Sequence, residues 1–137
     1  MALQPFADTG YNDNNGVATP SVEVILAKVP DGKILVVEHV SGQFAVRDGG
    51  VVNWLQAAAQ GANSVVYLPA HFVTGLSQFS TAQGLGRHHQ FGSPARLYVS
   101  AGNSLVVSGG ATKAVASPDP SAAISLFVSA IGYLVDA

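Results

Sequence analysis

The segment from Ala122 to Val135 reads AAISLFVSAIGYLV, and it is apolar on both of its alternating faces. One alternate set holds Ile124, Leu126, Val128, Ala130 and Leu134; the other holds Phe127, Ile131, Tyr133 and Val135. Successive side chains of a strand point to opposite faces. A strand of this kind therefore has to be covered twice, by a second sheet on one side and by further protein on the other. That requirement points to layered β structure, and no segment shows sustained helical periodicity with caps.

The rest of the chain agrees. Ser21–Val29 is a strand by its β-branched residues, and Ile34–Val40 follows across Pro30-Asp31-Gly32-Lys33, a strong turn signal. The two are expected to form a hairpin, with Gly32 at positive φ. Gln43–Arg47 is a short strand, Val51–Ala58 reads as strand, and Ser64–Val73 is a strand that Pro69 demotes to an edge or bulge. Gly75–Gly92 is expected to be irregular. Ala95–Ala101 and Ser104–Ser108 are expected as a second hairpin across Gly102-Asn103. Met1–Pro20 is polar and turn-rich, which predicts an N-terminal arm or loop ahead of one domain over residues 21–137. Many short strands with frequent corners make the expected fold an all-β antiparallel sandwich of jelly-roll type.

Charge is scarce. No acidic residue lies between Asp48 and Asp119, and 10% of the chain is charged, against roughly 25% for ordinary domains. Small neutral residues replace the missing charge, so part of the surface is expected to be covered by copies of the same chain. The net charge of −2 supplies no electrostatic footprint for nucleic acid or an anionic membrane. No apolar run is long enough to span a bilayer as a helix. Met1–Thr9 lacks the basic and apolar regions of a signal peptide, and an extracellular or virion-associated setting is the expectation. The chain has no Cys, hence no disulfide framework and no thiolate chemistry.

Catalytic groups are poorly supplied. His88 and His89 are adjacent and would face opposite ways in a strand, while His39 and His71 stand apart; no metal-ligand spacing appears. Their plain reading is surface or hydrogen-bonded histidines. Asn12-Asp13-Asn14-Asn15-Gly16 has the look of a calcium loop, but Tyr11 stands at the first ligand position and no Glu closes it. Nucleophile-elbow, phosphate-loop and dinucleotide fingerprints are absent. Neither a cofactor nor a metal is called for, and the chain is not expected to be an enzyme. For ligand recognition, Arg87, His88, His89, Trp54, Tyr67 and Arg96 supply the donors and ring faces that sugar binding uses. A loop cluster or subunit contact is the plainer account of the same residues.

Two stretches carry a resemblance. Val29-Pro-Asp-Gly-Lys-Ile-Leu-Val-Val-Glu-His-Val-Ser41, Arg96-Leu-Tyr-Val-Ser-Ala-Gly102 and Gly132-Tyr-Leu-Val-Asp136 resemble segments of small uncharacterised bacterial β-sandwich proteins. The ending with Phe127 and Gly132 is also similar to the last strand of complement-type globular and tumour-necrosis-factor-like jelly rolls. Their Gly-Asp-x-Val-x-Val signature meets Gly102-Asn103-Ser104-Leu105-Val106-Val107 here, with Asn in place of Asp. The second resemblance implies a homotrimer packed along apolar strands, with partners bound through loops. Gly49–Pro69 has no counterpart in either group.

Two functions follow as expectations. The first is a non-catalytic, lectin-like homo-oligomeric module that binds glycan through its loops. The alternative is a structural subunit of a phage capsid or decoration, or of a bacterial surface or filament assembly. In either case a homo-oligomer is expected, a trimer above all, with Phe127, Ile131 and Tyr133 meeting the neighbours. A closed trimer would speak for recognition, and open-ended growth for a filament.

Overall fold

A computed structural model describes residues 3–13, 21–47, 51–62, 64–80, 84–112 and 124–137. They form nine strands: β1 Gln4–Asp13, β2 Ser21–Ile25, β3 Lys33–Arg47, β4 Val51–Ala59, β5 Val65–Tyr67, β6 Ala70–Ser80, β7 Gly84–Ser100, β8 Leu105–Thr112 and β9 Ile124–Asp136. The strands make an antiparallel sandwich, β1-β9-β3-β7-β6 in one sheet (sheet A) and β2-β8-β4-β5 in the other (sheet B). No helix occurs among the described residues. The chain changes sheet at every connection except β4–β5 and β6–β7.

The core lies between the sheets. Leu35, Val37, Val40, Phe44 and Val46 of β3 and Ile124, Leu126, Val128 and Ala130 of β9 are buried against Val22, Val24, Leu55, Ala57, Leu105 and Val107 of sheet B. Strand β9 therefore turns inward the face expected to be inside. In β3 the register slips between Val37 and His39 against both neighbours. The slip reverses the alternation, so that Val37 and Val40 both point inward, as a bulge allows.

Both expected hairpins are corners instead. Gly32 has φ 73° and the Lys33 N–H donates to the Pro30 carbonyl at 3.2 Å, which is a type II turn with Gly at its third position. Yet β2 belongs to sheet B and β3 to sheet A. Likewise Gly102 has φ 79° in a turn closed by Asn103 N–H to the Ser100 carbonyl at 3.1 Å, and it carries the chain from sheet A to sheet B. The two corners satisfy each other: Val29 N–H donates to Asn103 O and Gly102 N–H to Val29 O, both at 2.9 Å. Backbone groups met in this way do not require a hairpin partner.

A Cβ added at Gly32 would meet nothing within 4 Å, so any penalty there is purely one of backbone. Gly32→Val should cost about 1–2 kcal/mol, and Gly32→Ala nearly as much. Thermal melts of the pair check this; equal stability of the wild type and both variants would rule out the strain.

The first residues also differ from expectation. Gln4–Asp13 is an edge strand, not an arm or loop, and it pairs with β9 from Gln4↔Leu134 to Asp13↔Ser125. Its inward positions close the seam between the sheets. Asp8 accepts the Ala27 N–H at 2.8 Å, and the Asn12 amide donates to the Glu23 carbonyl at 2.7 Å. These polar side chains occupy backbone groups along the rim of sheet B that an unprotected edge would leave open. Gly75–Gly92, expected to be irregular, falls largely within β6 and β7, which pair with each other, while β7 also pairs with the second half of β3.

Candidate functional site

The expected ligand residues divide between the two sheets. His88 and His89 lie on β7, as neighbours on a strand, and so face opposite ways. His89 pairs with Phe44 and lines a cavity of about 460 Å³ together with Trp54, Asn53, Leu55, Leu68 and Ala70. His88 pairs with Ala45, and both its ring nitrogens are buried without a hydrogen-bond partner among the described residues. Arg96 is exposed on β7 at an outward position of sheet A. The side chain of Arg87 lies outside the described residues, as do those of His71 and Asn14–Gly16. The six residues thus make no single loop cluster.

Trp54 and Tyr67 do come together. In β4 the register slips between Val52 and Trp54; beyond it Leu55, Ala57 and Ala59 are buried, and Trp54, Gln56 and Ala58 take the outer side. Trp54 pairs with Gly110. A Cβ at Gly110 would collide with the indole at Nε1, Cε2 and Cζ2, so the ring covers this glycine and needs the absence of a side chain there. Tyr67 pairs with Gln56 and is 72% exposed. It stands diagonally from Trp54, a relation that puts such pairs about 7–8 Å apart.

The outer face of sheet A has a different character. Phe127 and Ile131 are 47% and 51% exposed, Tyr133 is half-buried, and all three alternate outward along β9. Across the pairing, Tyr11 stands beside Phe127, Ala7 beside Ile131, and Pro5 and Val36 beside Tyr133. Tyr98 pairs with Val36 from β7 and is exposed. The Tyr11 hydroxyl donates to Asp13 at 3.1 Å. Burial first, then that bond and the Asp13 charge, raise the phenol above its ordinary pKa, so it stays neutral. Sequence reading finds the β9 members of this row but not Tyr11 and Tyr98. Their place depends on which strands flank β9 and β3.

No family model matches the chain, and no curated protein matches it. Among solved structures it is similar to a chain titled "Cyanophage Pam1 capsid asymmetric unit", at 15% identity and a TM-score of 0.47, over 97% of this chain and 86% of that one. A likeness so distant assigns this chain no role.

Proposed function

We propose that the chain is a non-catalytic structural subunit that assembles with copies of itself, as a trimer above all, in a virion or bacterial surface assembly. The observation that supports this reading is the outer row of β9 and its flanks, where Phe127, Ile131, Tyr11 and Tyr98 are large side chains left exposed on one sheet face, with the half-buried Tyr133 beside them. Contiguous exposed apolar surface marks a contact site. The outward positions of β9 from Ser125 to Val135 carry no charge, so covering them strands no unpaired ion, a loss of several kcal/mol where it happens. Sedimentation equilibrium over a concentration series tests the proposal. A trimer that grows into larger species as concentration rises is expected; a monomer at micromolar concentration would overturn the proposal, and a trimer that stays closed at every concentration would favour the recognition module instead.

A further inference from the structure

Sheet B presents its own outer face, and its side chains fall into rows that run across the strands. The middle row is Glu23, Ser108, Gln56 and Tyr67, one residue from each of β2, β8, β4 and β5 in direct register. At the usual strand spacing that row spans roughly 14 Å. It offers a carboxylate, a hydroxyl, an amide and a phenol in line. On one side of it lies the Trp54 indole over Gly110; on the other runs an aliphatic row that includes Ile25 and Val65, both exposed.

We infer that this face is a binding site for a neutral oligosaccharide chain laid across the strands. A sugar ring has an apolar face of C–H groups and a rim of hydroxyls. The first matches the flat rings of Trp54 and Tyr67, whose π faces are electron-rich; the second matches the donors and acceptors of the middle row. Glu23 is the one charged group among these residues and disfavours an anionic polymer. On sheet A the large exposed side chains fall in separate rows, Tyr11 with Phe127, then Ile131, then Tyr98, with no Trp among them and, among the described residues, no unbroken line of four hydrogen-bonding groups beside them. Sheet B puts hydrogen-bonding groups at the centre of its face, and a flat copy would leave these unpaired at a cost. The site is independent of the assembly proposed above, because it lies on the opposite sheet.

The chain has one Trp, so its fluorescence reports on this site alone. The full chain is titrated in turn with cellohexaose, mannohexaose and maltohexaose. With at least one of them, a saturable blue shift of Trp54 emission is expected. Tyr67→Ala and Gln56→Ala should each weaken that binding about threefold to tenfold, while Tyr98→Ala on the other sheet leaves it unchanged. Affinity electrophoresis of Trp54→Ala in a gel containing the matching polysaccharide should show lost retardation. Three results would overturn the inference: no shift with any hexaose at millimolar concentration, a shift that survives both sheet B substitutions, or a shift that follows protein concentration alone. The last would place a second copy on this face.

Discussion

Phe44→Ala should cost about 3–5 kcal/mol, the range for a buried Phe reduced to Ala. In a domain of this size that lowers the melting temperature by roughly 10 °C or more. Phe44 is fully buried in the second half of β3, in register with Leu126 of β9 and His89 of β7. Its ring crosses to the other sheet, where a Cβ on Gly109 would come within 2.5 Å of it. The large residue of sheet A and the missing side chain of sheet B are therefore one packing decision. Gly109→Leu alone should overpack and destabilise by about 1–3 kcal/mol. In the Phe44→Ala background the same substitution should be far less harmful, because the emptied space receives it. Chemical denaturation of the four proteins gives the coupling. Additive losses would show that Phe44 and Gly109 do not share the space.

Alternation along β9 identifies its inner face, since Ile124, Leu126, Val128 and Ala130 are all buried. Turn chemistry at Gly32 and Gly102 is equally readable, because a positive φ depends on local sterics. What local chemistry leaves open is which sheet receives the next strand. A turn serves a hairpin or a crossover equally well, and the choice between them rests on distant partners such as the Val29 and Asn103 backbone pair.

Strand β1 is hidden for a related reason. Its inward positions include Asp8, Gly10 and Asn12, which meet the rim of sheet B; a Cβ at Gly10 would lie 2.6 Å from Val24 Cγ1. A strand that seals a seam with polar caps and a glycine does not read as apolar-in, polar-out. The candidate site divides in the same manner. Residue type suggests Trp54 and Tyr67, and both share the outer face of sheet B. Gln56, Ser108 and Glu23 become visible only through register, because a polar residue on an outward face looks like any other solvated position until its row is known.

Ile131→Asp should break the assembly while leaving the sandwich folded. Ile131 sits near the middle of the outward row of β9, with Ala7 on one side and His39 on the other in the pairing, and it is 51% exposed in the single chain. A carboxylate there keeps its water in a monomer, so substitutions at such positions normally stay within about 0.5 kcal/mol of neutral. In an oligomer the same carboxylate is desolvated with only the His39 imidazole beside it, and a buried charge without a full counter-charge costs several kcal/mol. That is at least a hundredfold in affinity for each such contact. Sedimentation should then report a monomer whose circular dichroism and melt resemble those of the wild type. Ser129→Asp, two positions along the same row, is expected to act in the same direction. An assembly that tolerates both carboxylates would show that copies meet through another face, and one that unfolds with Ile131→Asp but persists with Ser129→Asp would place Ile131 in the fold's own packing.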